Sequence, residues 1–373
     1  MTPEESIQRF VENNWRESYQ IFETIEGQQL MTLFRRKVPQ NHKYYKRLVK
    51  EFNLVIQKNF SKVFFQVQEI LDLVGNDIPH IIRGSAGSSL ICYLMKITNI
   101  DPVKENISLA RFLHSYRQDY PDIDIDFPWN YRDLIFKKIT DRWENQVARI
   151  SNHIYYKPKS ALRQAIREHG YRKFVPKDFE LSDIFPNPTI QKKIMAQAKK
   201  LEGTMKCHSL HCGGIIIFDS QVPKNLILKD YNIYRNTGTK KEQDAGPKGM
   251  QIKLNKDEVE DHGLIKIDIL SNRGLGLLWE VSDTPIEDYP QNDQATFDTL
   301  CRGDNIGIVY GESRAMRKIF IKMSPKNTLD IAEALALIRP AASNDHQKSQ
   351  FLKDYISHDN FQASKKTESE IIR

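Results

Sequence analysis

The chain has 373 residues, which is too long for one ordinary hydrophobic core, so we expect two or three subdomains. Its content of 40% hydrophobic and 28% charged residues is typical of a globular protein. No apolar run approaches the roughly 20 residues of a membrane-spanning helix, and the first residues lack the order of a signal peptide. We therefore expect a cytoplasmic protein with no membrane partner. The net charge of +7 permits a polyanionic partner, and four scattered cysteines do not indicate a disulfide framework.

Apolar residues at helical spacing dominate the start of the chain. Residues 1–43 are predicted to form an N-terminal helical extension. Leu48, Phe52 and Val55 lie on one face of a predicted helix that starts near Tyr44. A second helix is predicted over residues 62–74, with Gly75 as its C-cap. We interpret both helices as scaffold.

A turn of small residues, which includes Gly84 and Ser85, joins a short apolar strand to an apolar helix. Such a turn at a helix N-terminus can present backbone N–H groups to an anion, and Arg83 adds positive charge. It is not a Walker P-loop, because no Gly-Lys-Ser/Thr follows. A helix with a serine cap would look similar, so the turn alone leaves both interpretations open.

The stretch Pro121-Asp-Ile-Asp-Ile-Asp-Phe127 alternates carboxylates with apolar residues at the period of a β-strand. Asp122, Asp124 and Asp126 therefore share one face, and the apolar residues share the buried one. Three like charges on one strand face repel each other, whereas closely spaced carboxylates are good ligands for Mg²⁺. The pattern favours a divalent-metal site over an exposed acidic edge strand.

Residues 149–173 are rich in cations and aromatic residues, with Glu168 as the single acidic residue. Lys159, Arg163 and Arg167 are four residues apart and share one helix face, and Lys157 precedes them. A basic helical face with interleaved aromatic residues favours contact with a nucleic-acid backbone over a merely solvated helix face.

The cluster Cys207, His208, His211 and Cys212 resembles a set of zinc ligands, but the spacing lacks a second pair further along the chain. We instead predict that His211 closes a turn before a buried strand over residues 215–218. Gly213 and Gly214 are expected to allow close packing.

The stretch Gly263-Leu-Ile-Lys-Ile-Asp-Ile-Leu270 repeats the strand alternation, with Lys266 and Asp268 on one face. A carboxylate among isoleucines must be paired or bind a metal, because an unpaired buried charge is very costly. An ion pair with Lys266 is the structural alternative. Three carboxylates on two strands can hold two Mg²⁺ ions for in-line displacement at a triphosphate, and Mn²⁺ can substitute. Lys266 can neutralise charge on the phosphates.

Helices are predicted over residues 296–340, with an arginine-rich turn at Glu312-Ser-Arg-Ala-Met-Arg317. Residues 343–373 are predicted to be a polar, loosely ordered tail.

A series of ordered motifs closely resembles the polymerase region of bacterial DNA polymerase III alpha subunits, the family C replicative polymerases. The motifs are Arg83-Gly-Ser-Ala-Gly-Ser-Ser-Leu, Pro121-Asp-Ile-Asp-Ile-Asp-Phe, Leu201-Glu-Gly, His211-Cys-Gly-Gly, Gly263-Leu-Ile-Lys-Ile-Asp-Ile-Leu, Cys301-Arg-Gly-Asp, Glu312-Ser-Arg-Ala-Met-Arg and Ile338-Arg-Pro.

The resemblance implies an α/β (α+β) fold: a polymerase beta-like nucleotidyltransferase palm with a mixed sheet, a helical thumb insert and partial helical fingers. The palm would comprise residues 44–155 and 211–270, the thumb 156–210 and the start of the fingers 271–342. Its implied catalytic and metal-binding residues are Asp124, Asp126 and Asp268. Its implied nucleotide-binding residues are Arg83, Gly84, Ser85 and Lys266. Primer–template DNA and dNTPs would be the partners.

The sequence also departs from the family pattern. Nothing before residue 40 resembles the family's phosphoesterase-like domain, and His80-Ile-Ile replaces the usual Gly-Pro-Gly before Arg83. The later fingers motif, the clamp-binding part and the OB-fold are missing, so a second chain is expected to supply them. The principal prediction is a template-directed DNA polymerase. A non-catalytic or split-partner primer–template binding subunit and a metal-dependent nuclease are the alternatives.

Overall fold

The computed structural model describes residues 20–233, 247–290, 292–338 and 350–351, and its centre is a mixed seven-stranded sheet. The strands are β1 (Ile81–Arg83), β2 (Ile123–Pro128), β3 (Val147–Tyr155), β4 (Met205–Ile217), β5 (Ile227–Asn232), β6 (Lys248–Ile252) and β7 (Ile267–Asn272). Their order across the sheet is β1-β2-β7-β4-β3-β6-β5. The pairs β1–β2, β3–β4, β4–β7 and β5–β6 are antiparallel, and the pair β3–β6 is parallel.

Helices precede, interrupt and follow the sheet. Among the described residues the first ten are α1 (Gln20–Glu23), α2 (Ile25–Thr32), α3 (His42–Gln57), α4 (Ser61–Val74), α5 (Leu90–Leu94), α6 (Arg132–Trp143), α7 (Pro158–Glu168), α8 (Leu181–Ile184), α9 (Pro188–Leu201) and α10 (Lys256–Asp261). After β7 come α11 (Arg273–Val281), α12 (Gln294–Arg302), α13 (Arg314–Met323) and α14 (Thr328–Leu337). No described helix is long and apolar enough to cross a membrane.

The main core lies between one face of the sheet and the N-terminal helices. The apolar side chains of β2, Ile123, Ile125 and Phe127, are fully buried there. Leu48, Phe52 and Val55 of α3 belong to the same cluster, and α4 ends at Gly75, whose φ of 88° suits a glycine. The predictions of strand β2 and of helices α3 and α4 are therefore confirmed, as is the mixed α/β class.

A helical insertion separates β3 from β4 and has a core of its own. Ala161, Ala165 and Ile166 of α7 pack with Ile194 and Ala198 of α9. Because the two strands pair up to Tyr155 and Met205, the helical part begins and ends at the tip of a two-stranded ribbon.

The chain divides into two compact units after Ser271. Within the second unit, α12, α13 and α14 pack around Leu300, Met316 and Leu337, as the prediction of helices there requires. The predicted arginine-rich turn is wrong in part: Ser313 caps a helix that begins at Arg314. Much of the predicted N-terminal extension, and the predicted tail apart from residues 350–351, lie outside the described residues.

Candidate active site

The alternation of β2 presents two aspartates on the sheet face opposite the core. Asp126 is 1% exposed and Asp124 is half-buried, while Ile125 between them points into the core. Strand β1 runs antiparallel to β2 and sets Arg83 opposite Asp124. The strand geometry thus places an arginine beside both carboxylates.

Strand β7 brings the third aspartate to the same place. It lies next to β2 in the sheet, and its Ile267 and Ile269 are buried while Asp268 is 8% exposed. The Asp124 and Asp268 carboxyl groups are within hydrogen-bonding reach of each other. The structure therefore brings the three sequence-predicted aspartates together from two neighbouring strands.

Two cations neutralise this cluster, and both bind carboxylates. The Arg83 guanidinium donates to Asp126 Oδ2 from Nη2 at 2.5 Å and from Nε at 3.1 Å. Lys266 Nζ lies 2.6 Å from Asp268 Oδ2 and 3.5 Å from Asp122 Oδ1. Burial lowers the pKa of Lys266, but the carboxylates outweigh burial and leave it raised. The ion pair between Lys266 and Asp268, the structural alternative, is thus present.

The cluster perturbs the protonation of Asp124. Burial, then the negative charge of Asp268, raises the pKa of Asp124 from 3.8 to about 6, although Lys266 acts in the opposite direction. Crowded carboxylates with perturbed pKa values are typical of functional sites.

The small-residue turn lies directly against these carboxylates. Residues Gly84–Ser88 form a 3₁₀ turn, and Gly84 has a φ of 81°, which favours glycine. A Cβ at Gly84 would lie 3.7 Å from Asp124 Oδ2. The turn therefore lies beside the aspartates in space, and its ligand stays a prediction.

The helix after the turn has a serine cap, which is one of the two interpretations that the sequence left open: Ser89 Oγ accepts the N–H of Cys92 at 3.2 Å. The Glu51 carboxylate of α3 accepts hydrogen bonds from the backbone N–H groups of Leu90 and Ile91 and from the hydroxyl of Ser89. Sequence reasoning missed Glu51 and its partner Arg47, because an Arg–Glu pair four residues apart on a helix normally indicates a solvated face.

The prediction that His211 closes a turn before a strand is wrong, because His211 lies within β4. The register of β4 against β3 shifts between Ser151 and Arg149, and His211 falls in this bulge. Its Nδ1 accepts the N–H of Gly214 at 2.8 Å and lies 3.5 Å from Asp268 Oδ1. Burial lowers the pKa of His211, and an accepting Nδ1 means that a neutral ring carries its proton on Nε2.

The predicted close packing at the adjacent glycines is confirmed. A Cβ at Gly213 would lie 2.7 Å from Ile269 O of β7, and one at Gly214 would lie 2.9 Å from His211 Nδ1. Because Gly214 pairs with Asp268 across the sheet, these glycines let β4 approach the strand that carries the third aspartate.

The donor chemistry of the cluster fits a hard divalent cation. Carboxylate oxygens are the ligands that Mg²⁺ prefers, and Asp268 Oδ1 is buried without a hydrogen-bond partner in the part of the chain that the structure describes. Within those same residues, no three His, Cys, Asp or Glu side chains are arranged to hold one ion as they stand. This applies to the Cys207–Cys212 cluster as well as to the aspartates, whose counter-charges here are Arg83 and Lys266.

The predicted basic residues lie on the helical insertion. Lys157 precedes α7, and Lys159, Arg163 and Arg167, here called the α7 basic face, lie about 200° around the helix from the buried Ala161 and Ala165. Lys159 and Arg167 are exposed, and Arg163 donates to Pro176 O. The α7 basic face is therefore directed away from the core of the insertion.

Comparisons with known proteins identify the relatives of the chain. The family profile described as "Bacterial DNA polymerase III alpha NTPase domain" matches residues 5–271, and the profile described as "Bacterial DNA polymerase III alpha subunit finger domain" matches residues 274–373. An error-prone DNA polymerase of Bdellovibrio bacteriovorus is 28% identical over 338 residues, which cover 83% of this chain and 31% of that protein.

Two further relatives carry the name DNA polymerase III subunit alpha. The protein of Borreliella burgdorferi is 30% identical over 337 residues, which cover 82% of this chain and 28% of that protein. The protein of Mycoplasma pneumoniae is 28% identical over 349 residues, which cover 84% and 38%, respectively. The chain thus spans about a third of the length of the curated relatives that it matches.

Proposed function

Because the chain belongs to the bacterial DNA polymerase III alpha family, we propose that it is the catalytic part of a DNA-directed DNA polymerase that acts in DNA replication. In the proposed reaction the 3′-oxygen of a primer loses its proton and bonds to the α-phosphorus of a dNTP. The bond between the α-phosphorus and its bridging oxygen breaks, and pyrophosphate leaves. The observation that supports this function best is the meeting of Asp124, Asp126 and Asp268 beside the turn at Gly84.

We assign the metal-binding role to Asp124, Asp126 and Asp268, with Mg²⁺ as the ion and Mn²⁺ as a substitute. Two such ions would supply positive charge to the attacking and leaving oxygens. The orphaned Asp268 Oδ1 supports this assignment, as does the crowding that raises the pKa of Asp124. The protein's own part is to hold the carboxylates on rigid neighbouring strands.

We assign the triphosphate to Arg83, Gly84, Ser85 and Lys266. In this structure Arg83 and Lys266 neutralise aspartates. Cations that replace them on the carboxylates would release both side chains to the phosphates of the dNTP. The Arg83 side chain is 49% accessible, so a ligand in solution can reach it.

We propose that the first unit contains a polymerase beta-like nucleotidyltransferase palm with a helical thumb insert. Residues 44–155 and 211–270 form the palm, 156–210 the thumb, and 271–342 the start of the fingers. The α7 basic face and Lys157 contact the phosphate backbone of the primer–template, which accounts for a helix face built only of cations in a region whose single acidic residue is Glu168. Further fingers and clamp-binding residues, on this polypeptide or on a second chain, complete the enzyme. Because its proposed substrate is DNA, we propose that the protein is located in the cytoplasm.

Primer extension tests this function. The purified chain is given a primer–template, dNTPs and Mg²⁺ or Mn²⁺, beside the double variant Asp124→Ala/Asp126→Ala. A matched control, Asp141→Asn, removes an exposed carboxylate that pairs with Lys137 on α6. We expect extension by the wild type and the control but not by the double variant.

The outcomes separate the alternatives. Extension that survives in the double variant refutes the assignment of the aspartates. Absence of extension with salt-dependent primer–template binding supports a binding subunit that needs a partner chain. Shortening of the primer that requires Asp124 and Asp126 supports a nuclease.

A further inference from the structure

A buried ion pair on α3 holds the turn that precedes α5. Glu51 is 0% exposed, and its Oε1 accepts from Arg47 Nε at 2.7 Å and from Leu90 N at 2.8 Å. Its Oε2 accepts from the Ser89 hydroxyl at 2.8 Å and from Ile91 N at 3.1 Å. One carboxylate thus satisfies the donors at the start of α5 that an open helix end would leave to solvent or to a ligand.

Arg47 ties the other side of the same turn. Its guanidinium donates from Nη1 to Ile107 O at 3.1 Å and from Nη2 to the carbonyl of Ser88, the last residue of the 3₁₀ turn. Arg47 therefore joins α3, the turn and the segment around Ile107, and it neutralises the charge of Glu51. Without this neutralisation, a buried carboxylate behind the turn would repel an anion in front of it.

We propose that Glu51 and Arg47 are positioning residues for the incoming nucleotide, an inference that rests on the proposed polymerase function. Glu51 fixes the turn at its end, at Ser89 and Leu90, while strand β1 fixes its beginning at Arg83. Held at both ends, the backbone of Gly84 to Ser88 keeps a defined distance from Asp124. The N–H groups at the start of α5 belong to Glu51, so the triphosphate takes its donors from the turn itself.

This role differs from simple stabilisation of α3, and the helix offers a matched control. Tyr44 lies on the same helix, and its hydroxyl lies 2.6 Å from Asp101 Oδ2, a contact that does not reach the turn. Tyr44→Phe removes one hydrogen bond from α3 but leaves the turn held. Loss of nucleotide affinity in Glu51 or Arg47 variants, with no loss in Tyr44→Phe, separates positioning from stability.

The experiment uses the full chain on a primer–template whose primer ends in a dideoxynucleotide, with dA as the next template base. The dissociation constants of dTTP, with Ca²⁺ as the metal, and of the primer–template are measured for the wild type, Glu51→Gln, Arg47→Lys and Tyr44→Phe. Arg47→Lys keeps a positive charge beside Glu51 and so protects folding, but it cannot span Ser88 O and Ile107 O together. Thermal unfolding checks that each variant is folded.

We expect Glu51→Gln and Arg47→Lys to weaken dTTP binding by about tenfold or more, because small displacements of a binding group cost that much. The primer–template dissociation constant should stay within about twofold of the wild type, since the DNA-binding face lies on α7. Tyr44→Phe should leave both constants unchanged.

Two results would overturn the inference, and they differ in whether the proposed nucleotide site is refuted as well. A wild-type chain that binds dTTP, with folded Glu51→Gln and Arg47→Lys variants that bind it equally well, refutes the positioning role alone. A folded wild-type chain that binds primer–template but no dTTP refutes the proposed nucleotide site, and the positioning role with it.

Discussion

The carboxylate cluster should make the metal-free protein less stable than it could be, and Asp124→Asn tests this. Burial and the neighbouring Asp268 raise the pKa of Asp124 from 3.8 to about 6. A carboxyl whose pKa is higher in the folded than in the unfolded chain stabilises the fold when protonated. That contribution is fully present below about pH 4 and is lost as the pH rises through about 6. Asparagine has a similar shape and no charge, so the Asp124→Asn variant does not lose this stability as the pH rises.

The size of the effect follows from the pKa. A rise of about two pKa units corresponds to about 3 kcal/mol, at about 1.36 kcal/mol for each pKa unit. Water screens part of the repulsion because Asp124 is only half-buried. We therefore expect Asp124→Asn to raise the free energy of unfolding by about 1–2 kcal/mol at neutral pH, and by about half as much near pH 5.

Urea unfolding with EDTA, at a series of pH values from about 5 to 8, measures this difference. The control Asp141→Asn removes an exposed carboxylate and should change stability by less than about 0.5 kcal/mol at every pH. Added Mg²⁺ should stabilise the wild type more than the variant and so reduce the difference. A variant that is less stable than the wild type in EDTA above about pH 7 would refute the reasoning, because the carboxylate would then contribute favourably.

Three other predictions concern packing, DNA binding and thiol exposure. Gly213→Ala should lower the free energy of unfolding by about 1–3 kcal/mol in urea titrations, because its Cβ would meet Ile269 O, whereas Gly87→Ala, which meets nothing within 4 Å, should lower it much less. Replacing the three cations of the α7 basic face by glutamine should weaken primer–template binding and reduce the slope of log Kd against log salt by up to about three. Equal binding by the wild type and that variant would argue against DNA binding by the α7 basic face. The control variant instead replaces three exposed lysines of α3, Lys43, Lys46 and Lys50, by glutamine. A thiol reagent should modify the exposed Cys207 and Cys212 in the native protein, but Cys92, whose pKa burial raises, only after unfolding; rapid modification of Cys92 in the folded chain would contradict its burial.

Local patterns in the sequence were enough to predict the elements that carry the site. The alternation around Asp124 and around Asp268 has period two, and side chains on a strand must alternate between faces, so both strands and their polar faces followed directly. The basic face of α7 followed in the same way from the period of a helix. Such predictions need only the geometry of one element.

Contacts between distant elements could not be derived from these periods. The order of strands in a sheet depends on how the whole chain packs, so the sequence did not show by periodicity that β2 and β7 are neighbours; the resemblance to a family implied that their aspartates act together. The bulge at His211 arises from the register of β4 against β3, and residues that pair across strands set that register. The predicted turn there was wrong for this reason.

The sequence by itself determined which carboxylates, cations and glycines the candidate site contains. It also determined on which side of each strand or helix these residues lie. The tertiary structure alone decided the partners that come from distant elements. It set Arg83 of β1 on Asp126 of β2 and buried Glu51 against the start of α5. A charge on a helix face looks the same in sequence whether water or a backbone N–H satisfies it, and only the packing of α3 against the turn distinguishes the two.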